Sequence, residues 1–137
     1  DIRRVVQAQR QHQGIDLRRA IEALAAPFPR PQLHLQLSEA VRITDVTQAD
    51  VLLRSVQEAL TNTARHSQAE NLWIVVRQED GQLVLDMRDD GRGSGDIRFG
   101  AGLTGMRERV VAAHGSLLVE RTITGGVQIL ATLPASA

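Results

Sequence analysis

The chain has no cysteine, no lysine and no tyrosine, and its only phenylalanine and tryptophan residues are Phe28, Trp73 and Phe99. Without cysteine there is no disulfide framework and no thiolate metal site, a composition that fits a cytoplasmic setting. Without lysine there is neither the phosphate-binding lysine of a P-loop nor the strand lysine of a eukaryotic-type protein kinase. With so few aromatics the core must be aliphatic. Net charge is lacking as well: 16 basic residues, all arginine, balance 16 acidic ones. Electrostatics therefore give no case for nucleic acid or for membrane contact. No apolar run approaches membrane-spanning length, and no signal peptide is visible. What remains is an ordinary globular composition, 42% hydrophobic over 137 residues, enough for one domain with a real core.

The stretch that organises the rest is Asp89 to Arg109, DDGRGSGDIRFGAGLTGMRER. The apolar run Leu83 to Met87 leads into two carboxylates, Asp89 and Asp90. Gly91, Gly93 and Gly95 follow at alternate positions, then Gly100, Gly102 and Gly105 at the start of a helical pattern. Glycine lets a ligand approach the main chain. A glycine-rich entry to a helix leaves free N–H groups at its positive end, where phosphate binds well. A carboxylate followed by an anion cradle is what a nucleotide pocket requires.

The rest of the chain reads as helix, strand, helix, hairpin, helix, hairpin. Asp1 to Gln13 is polar and reads as the end of a helix arriving from upstream. Asp16 caps a short helix over Leu17 to Ala25, which Pro27, Pro29 and Pro31 stop. Leu33 to Leu37 alternates as a strand does, and Val41 to Ile43 reads as a second short one. Asp45 or Thr47 caps a long helix over roughly 48–67. Asn71 to Gln78 and Gln82 to Met87 form a hairpin through Glu79-Asp80-Gly81. Leu103 to Ala113 is a helix ended by Gly115. Ser116 to Arg121 and Val127 to Leu133 are the last two strands. This order predicts an α/β two-layer sandwich, with a mixed, largely antiparallel sheet and helices on one face. Residues 1–31 are expected to be the end of a helical linker plus the short helix, and 32–137 the ligand-binding domain.

The long helix carries two messages. Leu52, Leu53, Val56, Ala59, Leu60 and Thr63 share the side expected to pack on the sheet. Glu58, Asn62, Arg65 and His66 cluster on the other side. Amide and carboxylate oxygens are the hard ligands that Mg²⁺ prefers, and Arg65 with His66 would neutralise phosphate.

Together these segments resemble the ATP-binding catalytic domain of a bacterial sensor histidine kinase. That family belongs to the gyrase, chaperone, kinase and mismatch-repair (GHKL) ATPases with the Bergerat fold. Glu58 to Ser67, EALTNTARHS, is similar to the asparagine box. Asp89-Asp90-Gly91-Arg92-Gly93 is similar to the first glycine box, and Gly100 to Arg109, GAGLTGMRER, to the second. The spelling is nearest the nitrate-sensor and desaturase-regulator branch, and the resemblance covers roughly 33–134. It implies ATP and Mg²⁺ as ligands. Asn62 would coordinate the metal, and Glu58 would sit near the metal and the terminal phosphate. Asp89 would accept from the adenine amino group, and Gly91 and Gly93 would close on the base. Gly100, Gly102, Leu103, Gly105 and Met106 would form the phosphate-binding stretch with the helix after it. The residues between Gly95 and Gly102 would be a short lid. Partners would be phosphoacceptor helices and a response regulator, with the domain acting in the cytoplasm of a protein that is membrane-anchored or soluble as a whole.

Three features depart from the family pattern. Asp90 stands where the wider family often has Asn. Val127 stands where the last strand usually opens with a threonine hydroxyl near Asp89. No histidine lies in a phosphoacceptor motif: His12, His34 and His114 lack its context, and His66 belongs to the nucleotide site. The alternative is therefore a degenerate or anti-sigma-type interaction module. A dinucleotide site on Gly100-Ala-Gly102-Leu-Thr-Gly105 is the weaker reading, because that motif follows a buried strand directly and here Gly-Ser-Gly-Asp-Ile-Arg-Phe precedes it. The scattered histidines support no hydrolytic metal centre.

Overall fold

The computed structural model describes residues 16–38, 41, 43, 45–66 and 68–135, with His66 described in its backbone alone. The elements are α1 (Leu17–Ala25), β1 (Gln32–Leu37), α2 (Val46–His66), β2 (Asn71–Glu79), β3 (Gln82–Asp89), α3 (Ala101–Ala112), β4 (Ser116–Arg121) and β5 (Val127–Pro134). The strands form one sheet in the order β1-β2-β3-β5-β4. Strands β1 and β2 are parallel, joined through α2, and the other pairings are antiparallel. The upstream segment read as a helix end lies outside the described residues.

Period-two burial fixes which way the sheet faces. Leu72, Ile74 and Val76 of β2, Leu83, Leu85 and Met87 of β3, and Ile129, Ala131 and Leu133 of β5 are all buried in one core. The helices supply the other half of that core through Ala20 and Ile21 of α1, Leu52, Leu53, Val56 and Leu60 of α2, and Leu103, Met106 and Val110 of α3. The opposite face carries the exposed Trp73 and Leu118. The same alternation carries past Met87: Asp89 ends β3 pointing to the helix side, and Asp90 turns the other way.

Local chemistry sets the boundaries. Asp16 Oδ1 accepts from the Arg19 N–H at 3.1 Å and caps α1. Of the two candidate caps for α2 it is Asp45 that serves, accepting from the N–H groups of Thr47 at 2.8 Å and Gln48 at 3.4 Å. The β2–β3 turn has Asp80 at φ 51° and Gly81 at φ 72°, the paired left-handed residues of a tight hairpin. Two expectations need correction. Val41 and Ile43 are buried but not in a strand; the Val41 N–H bonds back to the Ser38 carbonyl at 3.1 Å, as in a turn. At the end of α3 the left-handed residue is His114, φ 65°, and not Gly115. Gly115 is small because a Cβ there would lie 2.2 Å from the Thr132 carbonyl oxygen.

Candidate functional site

A cleft of about 460 Å³ opens between α2, the loop after β3, the start of α3 and the β4–β5 turn. Its apolar surface comes from Leu72, Met87, Ile97, Leu103, Val127 and Ile129, and its polar side chains include Asn62, Thr63 and Asp89. This volume and lining suit a small molecule with one flat apolar part and one polar part.

Asp89 is 7% exposed. Its Oδ1 accepts from the Gly91 N–H at 2.8 Å and from the Val127 N–H at 3.2 Å, and the Thr63 side chain bonds the same carboxylate. Burial pushes the carboxyl above its ordinary value of 3.8, against the lowering effect of the Gly91 and Val127 bonds, and the neighbouring Asp90 charge adds to the rise. Two backbone donors hold Oδ1, and a carboxylate with about four lone-pair sites keeps acceptor capacity for a ligand in the cleft.

Asp90 does different work. Its Oδ1 accepts from the N–H groups of Glu70 and Asn71, both at 2.9 Å, and its Oδ2 accepts from Asn71 Nδ2 at 2.9 Å. Asn71 Oδ1 in turn meets His34 Nε2 at 2.8 Å. Partial burial raises the Asp90 carboxyl, but the Asn71 side chain together with the backbone bonds of Asn71, Glu70 and Asp90 itself outweighs that and holds it below 3.8. Three N–H donors ask for two acceptor oxygens, which explains aspartate at a position where asparagine is the familiar residue. Asp90 ties the loop to the start of β2 and does not line the cleft.

The α2 face divides in the same way. Asn62 lines the cleft, half-buried. Glu58, one turn earlier, lies against the first turn of α3: a Cβ on Gly102 would fall 1.6 Å from Glu58 Oε1. Glycine at 102 thus leaves the space that the Glu58 carboxylate occupies between the two helices, beside the N–H groups that favour negative charge. Arg65 is exposed and outside the cleft lining, and the His66 side chain is not among those described. Asn62 and Glu58 give hard oxygens of the kind Mg²⁺ takes, which usually come as one or two protein ligands completed by water and phosphate. Among the described residues there is no cluster of three or more acidic or histidine ligands that would make an all-protein metal cage.

Of the glycine-box residues, Gly91, Gly93, Gly100, Gly102 and Leu103 line the cleft. Gly105 and Met106 do not. Met106 is fully buried in the core, because its spacing of three from Leu103 and four from Val110 puts the three side chains on one inward stripe. Its expected ligand contact therefore does not come from its side chain. The sequence reading missed Thr63 as a cleft residue, and it missed Arg121 and Gly125, which also line the cleft. A hydroxyl on an otherwise apolar helical stripe was the available signal for Thr63. Arg121 had none, since its partners lie in other loops.

A two-layer α/β domain whose helix side holds an acid-floored cleft beside a glycine-rich helix start is the architecture of a nucleotide-binding ATPase domain. Residues 47–137 match the family of histidine kinase-, DNA gyrase B- and HSP90-like ATPases, and the chain belongs to it. Among curated relatives it is 37% identical over 86 residues to the sensor histidine kinase YxjM of Bacillus subtilis, covering 63% of this chain and 21% of that protein. It is 39% identical over 100 residues to the histidine-protein kinase/phosphatase UhpB of Salmonella typhimurium (72% and 18%). With the nitrate/nitrite sensor NarX of Escherichia coli it shares 34% over 124 residues (85% and 20%). The chain thus spans about a fifth of the length of these relatives. Among solved structures, the blue-light activated histidine kinase of Erythrobacter litoralis superposes with a TM-score of 0.76 at 21% identity, covering 96% of this chain and 50% of that one. The ATP-binding domain of PrrB from Mycobacterium tuberculosis superposes with a TM-score of 0.65 at 19% identity (88% and 92%). These two share the fold. No helix among the described residues is long and apolar enough to cross a membrane.

Proposed function

We propose that this chain is the catalytic domain of a sensor histidine kinase, binding Mg·ATP and presenting its γ-phosphate to a histidine on a separate dimerisation domain. The observation that carries the reading is that Asp89, Asn62 and Gly102 line a single cleft. Asp89 accepts a hydrogen bond from the adenine amino group through Oδ2, and it repels the carbonyl oxygen that guanine carries at the same ring position. Asn62 gives its amide oxygen to the metal, with Glu58 one turn away as a second oxygen donor or as the group that orients a metal-bound water. The free N–H groups at the start of α3 hold phosphate oxygens. Magnesium-bound ATP supplies the transferred phosphoryl group, for which positioning and charge neutralisation provide most of the catalysis. The acceptor helices and a response regulator are the partners that follow from the reading, and the domain works on the cytoplasmic side.

Calorimetric titration of the chain with ATP, with and without Mg²⁺, tests this. The expected result is one site whose affinity rises with Mg²⁺ in the parent and loses that rise in Asn62→Ala. An absence of any Mg²⁺-dependent ATP binding would favour the interaction-module alternative.

A further inference from the structure

Arg121 lines the cleft, yet the nucleotide reading gives it no task. It ends β4 and is half-buried. Its Nε donates to the Gly95 carbonyl at 2.9 Å, and its Nη1 donates to the Gly125 carbonyl at 2.9 Å. These acceptors belong to two separate loops, one following the first glycine box and one closing the β4–β5 turn. The Gly93 N–H donates to the same Gly125 oxygen at 2.9 Å. Gly93 also lies directly under the guanidinium: a Cβ on it would fall 2.3 Å from Nη1. Gly125 completes the contact with φ +101° and a Cβ position 2.5 Å from the Gly93 carbonyl oxygen, so only glycine fits there. Among the described residues no ion pair involves Arg121; its guanidinium donates to carbonyl dipoles.

We propose that Arg121 is a latch that fastens the first glycine loop onto the β4–β5 turn and so sets the wall of the cleft beside Asp89 before nucleotide arrives. The inference rests on the nucleotide reading and deepens it. A planar guanidinium reaches two carbonyls in fixed directions, which a single ammonium cannot do as well. A wall built in advance leaves less ordering to be done on binding, and so raises affinity without touching the ligand's own hydrogen bonds. Arg121 is therefore a positioning residue: it acts through Gly93 and Gly125 on the site that Asp89 occupies.

The test compares the parent with Arg121→Ala and Arg121→Lys by amide hydrogen exchange without nucleotide, and by ATP titration. In Arg121→Ala the Gly93 amide is expected to exchange about tenfold faster. The Ala135 amide, bonded to the Gly81 carbonyl at 2.9 Å at the far end of the sheet, should be unchanged. Loss of two hydrogen bonds should weaken ATP binding roughly 5- to 30-fold. Arg121→Lys, keeping one carbonyl partner at a time, should fall between. Unchanged Gly93 exchange in Arg121→Ala overturns the latch. Faster exchange with parental ATP affinity overturns its part in binding. If the parent itself binds no ATP, the nucleotide reading falls, and the latch's role in preparing that site falls with it, while the Gly93 exchange still reports whether the two loops are fastened.

Discussion

Replacing Asp89 with asparagine separates recognition from folding. In the parent, Oδ1 is held by the Gly91 and Val127 N–H groups at 2.8 and 3.2 Å. Those two donors dictate how an asparagine amide sits: its oxygen must take the Oδ1 place, and its NH₂ must then replace Oδ2, the oxygen proposed to meet the base. A donor now meets the adenine amino group, itself a donor. A hydrogen bond to a charged group is worth about 1.5–3 kcal/mol, so the loss should be about 2–3 kcal/mol, or about 30- to 150-fold in ATP affinity. The same NH₂ suits a ring carbonyl, so the preference for ATP over inosine triphosphate should collapse in the variant. Fold stability should move the other way or not at all. Burial raises the Asp89 carboxyl above its ordinary 3.8, so its contribution to stability is complete below that value and is lost as the pH rises through the folded value. At neutral pH the ionised group is a cost to the unliganded fold, and removing its charge relieves that cost.

The assay is parallel titration of both proteins with ATP and inosine triphosphate across pH, alongside denaturant melts. The parent should lose ATP affinity on acidification at a higher pH than a solvated aspartate would dictate. The variant should lack that dependence, and the difference between the two cancels the titration of the phosphates. Asp89→Asn binding ATP as tightly as the parent at neutral pH, with intact stability, would refute the assignment of this carboxylate to the base.

Three further outcomes follow from the geometry. Thr63→Val removes one donor from the Asp89 carboxylate and keeps the shape, so ATP affinity should fall by about 1 kcal/mol, or roughly fivefold, in the same titration; an unchanged value denies Thr63 any part in orienting Asp89. Gly102→Ala must turn aside the flexible carboxylate end of Glu58, whose Oε1 lies 1.6 Å from the new Cβ, so it should weaken Mg²⁺-dependent ATP binding while thermal unfolding stays within about 1 kcal/mol of the parent, whereas Gly105→Ala meets only Arg109 Nη1 at 3.2 Å and should leave both unchanged or be slightly stabilising; parental binding in Gly102→Ala would deny Glu58 a part in the site. Asp90→Ala should destabilise by about 1–2 kcal/mol at neutral pH, since half-exposed bonds count for less than buried ones. Because Asp90 is held below 3.8, that deficit is present above 3.8 and should shrink as the pH falls through the lowered value; denaturant melts at neutral and acid pH that show a constant deficit would contradict the role given to its charge.

Much of the fold was legible because its signals are local. The left-handed pair Asp80-Gly81 between two alternating runs can hardly be anything but a hairpin, and the stripe from Leu52 to Thr63 announces which side of α2 meets the sheet. The position of β5 between β3 and β4 was not legible, because strand order is decided by pairings between distant segments. The site was legible to the same degree. The direction of Asp89 follows from counting two residues on from Met87. The inward turn of Met106 follows from helical phase, and treating the second glycine box as a unit obscured it. The roles of Gly115 and Arg121 depend on what lies across from them, Thr132 in one case and Gly95 with Gly125 in the other, and no neighbouring residue hints at either.

Val127 shows how position and chemistry can part company. In the sequence it is a departure, a missing hydroxyl at the mouth of the last strand. In the fold its backbone N–H still reaches Asp89 Oδ1, because strand register with β3 and not side-chain identity brings it there. The hydroxyl on Asp89 comes instead from Thr63 of α2, 4% exposed and next in the chain to Asn62. The carboxylate is consequently oriented from three directions, by its own loop at Gly91, by β5 at Val127 and by α2 at Thr63. The α2 contact binds the residue read as facing the base to the helix that carries the residues read as facing the metal. Thr63 thus ties α2, the helix that carries Asn62, to the carboxylate that ends β3.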